Sequence, residues 1–372
     1  MQPYPTLFSP LELGGLTLAN RVTMAPLYLG YANMDGLVNK RLLEHYQEMG
    51  ASGAAMVMVE NASIDPRGQG SPFTMRIDED RFTQGLAGLA AAIQAGGAKA
   101  GLQINHAGRF AHGTGHPLAP SAVPLGEMVP EALSAEQIAG ITQAFARAAR
   151  RVRQAGFDLV ELHGGTGYLL AQFLSPRTNR RDDAYGGSLN NRLRFPLEVI
   201  AAVRREVGPD YPVGYRFLAD EWLPDGLQLS EALLAAPRLA EAGLAYLSVM
   251  GGTYESFFLP ERKAQEQEPG YMLSLAAAVK QAVQVPVIAA GRMQDPALAE
   301  AALTEGKADL IGLARVLLAD PQWVRKAQEG RASEIVGCEP TCGLCFQRVA
   351  KGQPVFCSQW PKQKREHFAT RD

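Results

Sequence analysis

The sequence predicts an α/β fold, a TIM (β/α)8 barrel with a short cysteine-bearing C-terminal extension, and three observations carry that expectation. Strand and helix signals alternate from the N-terminus to about residue 330. Eight short apolar runs read as strands, which suits a closed parallel barrel whose strands are buried on both faces. Three of the connections that follow strands are long, as loops at the mouth of a barrel often are. An open doubly wound sheet is the alternative arrangement of the same alternation.

Taken in order, the candidate strands are Arg21–Met24, Ala54–Val59, Ala100–Asn105, Asp158–Leu162, Pro212–Phe217, Tyr246–Val249, Val285–Ala290 and Asp309–Gly312. Between them, Ala/Leu/Glu/Arg-rich stretches with apolar spacing near three to four predict helices over Lys40–Met49, Arg81–Ala95, Ser134–Gln154, Leu189–Glu206, Ser230–Ala242, Leu273–Ala282 and Pro296–Thr304. Ser134 and Ser230 read as helix starts, Asp295-Pro296 as an Asp cap with Pro in the first turn, and Gly156, Gly243 and Gly306 as stops. The long connections are His106–Leu133, His163–Ser188 and Met250–Tyr271, all expected on one barrel face. After residue 330 the helical pattern stops, so the chain divides into a barrel over 1–330 and an extension over 331–372.

Composition narrows the function class. The 372 residues carry a formal net charge of −2 and no long block of Lys or Arg, which argues against nucleic acid and a membrane surface as partners. No apolar run approaches the ~20 residues that span a bilayer, and Met1–Tyr4 lacks the start of a secretory leader. A cytoplasmic protein acting on a small molecule is the expectation; homo-oligomerisation stays open.

The stretch Glu161–Tyr168 closes a strand with a polar, Gly-rich turn carrying His163 and Tyr168. A histidine can hold an oxyanion and a phenol can deliver a proton to a carbanion-like centre, although a packed His and Tyr fit the same positions. Arg216 ends one strand, and Gly291-Arg292 and Ala314-Arg315 follow the last two, where barrels bind phosphate. Gln103 lies near the end of the third strand, where an amide can pair with the edge of a heterocycle, although an amide inside the barrel fits the same position. His106, His112 and His116 share a loop without an acidic partner at ligand spacing and are not taken as a metal site. Cys338, Cys342, Cys345 and Cys357 form a C-x3-C-x2-C-x11-C pattern that suits zinc or an iron-sulfur cluster.

Several segments, in this order, resemble the Old Yellow Enzyme family of FMN oxidoreductases, in its dienoyl-CoA reductase, enoate reductase and trimethylamine dehydrogenase branch. They are Leu7–Leu13, Asn20–Pro26, Gln103–Arg109, Gly167–Pro176, Asn179–Arg192 and Ala308–Arg315, and together they span most of the chain. The resemblance implies an FMN-binding TIM barrel. Ala25, Pro26 and Leu27 would face the ring, with Asn61 nearby and Gln103 on the pyrimidine edge. Arg216 would sit near the ring's N1 and C2 carbonyl, while Gly291, Arg292, Ala314 and Arg315 would hold the phosphate.

It further implies hydride transfer from NAD(P)H through FMN to the activated C=C bond of an α,β-unsaturated carbonyl compound. Tyr168 would be the proton donor and His163 one of two groups gripping the carbonyl oxygen. Thr166 stands where the second is usually His or Asn, and Tyr28 and Tyr254 are candidates for shaping the substrate pocket. The cysteines resemble a [4Fe-4S] segment whose first gap is normally two residues rather than three, which keeps zinc as the alternative. Other readings are an amine dehydrogenase or demethylase, against which no aromatic bowl is evident, and an FMN electron-transfer subunit. Larger relatives carry further cofactor domains beyond the point where this sequence stops. Electrons would then come directly from NAD(P)H or through the cluster from a partner protein.

Overall fold

A computed structural model describes residues 3–371, so Met1 and Gln2, on which the leader expectation partly rests, lie outside the described residues. The barrel strands are β1 (Val22–Met24), β2 (Met56–Ser63), β3 (Lys99–Asn105), β4 (Leu159–Gly164), β5 (Val213–Asp220), β6 (Tyr246–Gly251), β7 (Val287–Ala289) and β8 (Leu310–Leu313). Each pairs in parallel with its sequence neighbours, and β8 closes on β1 through Ile311↔Val22, Gly312↔Thr23 and Leu313↔Met24. The barrel is therefore closed, and the open-sheet alternative falls.

The seven expected helices are all present, with ends displaced by a residue or two. Ser134 forms a reciprocal capping box with Gln137, and Asp295 caps Ala297 with Pro296 in the first turn. Ser230 is not a cap: the helix there runs Leu229–Glu241 from Gln228, so the serine lies one residue inside. The three long connections hold structure of their own, including helix Leu169–Leu174 in the second and Pro260–Gln265 in the third.

Two features were not expected from the sequence. Leu11–Leu13 and Leu16–Leu18 form an antiparallel hairpin around Gly14 and Gly15, whose φ angles of 56° and 89° suit a tight two-residue turn. Its Leu13 and Leu18 pack with Met56, Leu159, Ile288 and Leu310 at the strand starts, closing the end opposite the long loops.

The segment after residue 330, expected to lack helices, contains Leu344–Ala350 and Lys362–Phe368. It shares the main core through Val355, Cys357, Trp360 and Phe368. Tyr31 Oη donates to the Val355 carbonyl at 2.6 Å, and Trp360 Nε1 donates to the Leu318 carbonyl at 2.6 Å. Among the described residues no helix is long and apolar enough to cross a membrane.

Candidate active site

The site grows from neighbouring registers of the barrel. Gln103 pairs with Glu161, Glu161 with Gly214, and Gly214 with Tyr246, so these four positions form one row across β3 to β6. Two residues further along, toward the long loops, His163, Arg216 and Ser248 form the next row. Arg216 Nη1 donates to Ser248 Oγ at 2.8 Å.

The turn after β4 fixes the chemistry-bearing groups. Tyr168 N–H donates to the Gly165 carbonyl at 3.0 Å, with Thr166 and Gly167 at φ 58° and 82° between them. A β-branched residue is strained in this left-handed region, so surrounding contacts hold Thr166 there. Its hydroxyl lies 3.5 Å from the Met250 sulfur. Gln172, from the short helix that follows, donates to the Gly167 carbonyl at 2.7 Å and to the Ala107 carbonyl at 3.2 Å. It thereby ties the β4 turn to the loop after β3.

His163 is buried, and its Nδ1 accepts from Gly165 N–H at 3.2 Å. That bond assigns the ring proton to Nε2, the nitrogen left to donate. Burial, and then the Arg216 charge, push its pKa down to about 3, so the ring is neutral at ordinary pH. The Tyr168 ring stands edge-on to it with centroids 4.8 Å apart. Tyr168 Oη lies 2.8 Å from Tyr254 Oη, and burial followed by that neighbour raises the Tyr168 pKa well above the usual phenol range.

Tyr254 is set in place by charge on the residue after it. Glu255 accepts from Arg177 at 3.0 Å and from buried Arg109 at 3.4 Å, and Arg177 also bonds Asp225 at 2.7 Å. Phe110 and Phe257 approach the Tyr254 ring at centroid distances of 5.2 and 6.3 Å. The aromatic cluster that the sequence did not reveal is therefore present, because the β3 and β6 loops supply its members.

A cavity brings together Ala25, Pro26, Arg216, Gly291, Arg292, Ala314 and Arg315, and adds Tyr271, Met272 and Cys338. Leu27, Asn61 and Gln103 lie outside this lining. Gly291 has φ 101°, and a Cβ there would lie 3.1 Å from Met272, so glycine fits both the backbone and the close approach. Arg292 is also left-handed at φ 51°, and its guanidinium donates to the carbonyls of Glu266, Cys338 and Pro340 rather than pointing free. Among the described residues the Arg315 guanidinium makes no hydrogen bond or ion pair.

Asn61 sits with Glu60 where the β2–β3 register slips between Val59 and Ala62. Glu60 accepts from Leu29 N–H at 2.6 Å, and burial raises its pKa to about 8. Sequence reasoning assigned neither Glu60 nor Glu161 a role, although each is an acid inside an apolar strand. Burial, with a hydrogen bond to Ser71 opposing it, raises the pKa of Tyr28.

The four cysteines are all free thiols. Burial, and then the charges of Cys357, Cys338 and Cys342, push Cys345 up to about 11. Among the described residues no three His, Cys, Asp or Glu side chains form a group that could hold a metal ion, so the thiols as placed make no complete ligand set.

Comparison with known proteins matches residues 6–334 to one family. The chain belongs to the NADH:flavin oxidoreductase / NADH oxidase family. It is 41% identical to an NADH oxidase of Thermoanaerobacter brockii, covering 98% of this chain and 57% of that protein. It is 36% identical to an NADPH dehydrogenase of Halalkalibacterium halodurans, covering 86% and 93%. A 2-naphthoyl-CoA reductase complex superposes with a TM-score of 0.92 at 32% identity, covering 98% of this chain and 58% of that one. The chain thus spans little more than half the length of the first and third of these relatives.

The cavity's chemistry fits the flavin expected in this family. Ala25, Pro26 and Met272 offer an apolar surface for a ring, Arg216 and Arg315 are cationic, and Gly291 brings backbone close.

Proposed function

We propose that this chain binds FMN across the barrel mouth and reduces the activated C=C bond of an α,β-unsaturated carbonyl compound with electrons from NAD(P)H. The observation that carries the reading is the neutral His163, with Nδ1 committed to Gly165 and the edge of its ring against the Tyr168 phenol. FMN, when bound, supplies the hydride acceptance and donation that no protein side chain can. Ala25, Pro26, Leu27 and Asn61 would flank its ring, Gln103 and Arg216 its pyrimidine side, and Gly291, Arg292, Ala314 and Arg315 its phosphate. Because the Arg292 side chain is held by three carbonyls, its backbone is the part assigned to the phosphate, leaving Arg315 as the available guanidinium.

In this reading His163 Nε2–H donates to the substrate's carbonyl oxygen and stabilises the charge that develops there. Tyr168 gives its phenolic proton to the α-carbon, completing addition of one hydride and one proton across the double bond. Tyr254 holds the Tyr168 hydroxyl in line, and Tyr28 closes the pocket. The Thr166 hydroxyl is turned to the Met250 sulfur, so His163 carries most of the carbonyl grip.

Rapid-mixing kinetics on Tyr168→Phe test this. Flavin reduction by NAD(P)H should stay within about twofold of wild type, while alkene reduction slows about 100-fold or more. Equal losses in the two half-reactions reject Tyr168 as the donor.

Amine oxidation is the second reading, favoured by the cluster of aromatic rings Phe110, Tyr254 and Phe257. Turnover of small cationic amines without turnover of enones would select it. For the cysteines we propose a [4Fe-4S] cluster, supported by their C-x3-C-x2-C-x11-C spacing, with an external redox protein as its partner. Metal and sulfide analysis of anaerobically purified protein decides: equimolar zinc without sulfide replaces the cluster with a zinc site.

A further inference from the structure

Glu161 is 1% exposed, yet it lies in the middle of the barrel's polar row. One carboxylate oxygen accepts from Gln103 Nε2 at 2.8 Å and the other from Tyr246 Oη at 2.9 Å. Tyr246 reaches it across β5 only because residue 214 is glycine: a Cβ there would lie 2.0 Å from the tyrosine Cζ. Among the described residues nothing bonds Gln103 Oε1, although Gln103 is itself 1% exposed. No carboxylate pairs with Arg216 within 4 Å among the described residues, and Glu161 is the acid whose charge offsets the burial of that guanidinium.

We propose that Glu161 is the positioning residue of the FMN site, fixing which end of the Gln103 amide faces the cofactor and setting a negative charge against Arg216. Burial raises the Glu161 pKa, while the Arg216 charge and the bonds from Tyr246 and Gln103 favour the ionised form; as a carboxylate it only accepts, so it claims the amide's NH2 and leaves Gln103 Oε1 as an acceptor for a ring N–H. The same charge offsets part of the Arg216 field, which otherwise favours the electron-rich, reduced form of the cofactor. The proposal rests on the FMN reading given above.

Two conservative variants separate position from charge, read by the dissociation constant of FMN and the midpoint potential of the bound cofactor. Glu161→Gln keeps an acceptor for Gln103 but loses the charge. Its preference for reduced over oxidised FMN should rise about tenfold, a shift of about 30 mV to more positive potential. Glu161→Asp keeps the charge but falls one methylene short of Gln103. Its potential should stay at the wild-type value while oxidised FMN binds about tenfold more weakly. An unchanged potential in Glu161→Gln, or wild-type FMN affinity in Glu161→Asp, overturns the proposal. A folded wild-type chain that takes up no FMN overturns the functional reading itself, which is a separate and visible failure.

Discussion

His163 shows how one backbone hydrogen bond can choose a side chain's role. With Nδ1 taken by Gly165 N–H and its pKa held to about 3, the ring is a fixed donor rather than a proton store. Removing it as His163→Ala should weaken a phenolate ligand at least tenfold, measured by optical titration of the flavin. In the wild type, any pH dependence of that binding between about 5 and 8 should follow the ligand's own ionisation, because His163 stays neutral throughout. Binding that the alanine variant leaves intact would remove His163 from the anion site. Arg216 is the cationic neighbour here, and its depressing effect on His163 is part of why the imidazole does not charge.

At the scale of elements, the loop after β6 is held by ion pairs as well as by packing of Tyr254 on Ala107, Ala111 and Tyr168. Glu255 joins Arg177 and buried Arg109, and Tyr254 immediately before it meets Tyr168. Glu255→Ala leaves the Arg109 charge buried without its carboxylate, which should cost about 2 kcal/mol of stability. The alkene half-reaction should slow with it. A urea midpoint equal to wild type would show that the pair holds nothing in place. The barrel strands were legible in sequence because parallel strands buried on both faces are apolar runs with sharp ends. The Leu11–Leu18 hairpin was missed although Gly14-Gly15 between Leu-rich triplets was a usable turn signal. Three-residue strands give too little alternation to count. Likewise, the seven-residue helices in the cysteine segment are too short for periodicity to reveal. Within the site, His163, Tyr168 and the arginines could be picked out because each lies in or just after a recognisable strand, although Arg216, expected to end its strand, sits inside β5, which runs on to Asp220. Glu161 could not, because its partner Gln103 is 58 residues away and only the barrel register places them side by side.

For the whole molecule, buried titratable groups set a curved dependence of stability on pH. Burial holds His45, His106 and His163 at about 3, 4 and 3 respectively. The unfolded chain protonates these rings near pH 6.5 and the folded chain does not. Stability should therefore fall as pH drops from about 6.5 toward 4, by roughly 1 kcal/mol per pH unit for each histidine. Glu60 has the opposite sign. It is raised to about 8, so its contribution is complete below the ordinary carboxyl range and disappears as pH climbs toward 8. Chemical denaturation across pH should give a maximum near about 6.5. Glu60→Gln should flatten the decline above about 6.5 and steepen the fall below it, where Glu60 opposes the histidines; an alkaline decline that persists would assign it to other groups. A different kind of coupling is built into Arg292, which lines the proposed cofactor chamber while its guanidinium grips carbonyls of Cys338 and Pro340. Whatever rearranges the thiol-bearing segment, whether ligation, oxidation or proteolytic nicking, must pull on the same arginine, so events at the molecule's rim reach the chamber mechanically and without any chemistry in between.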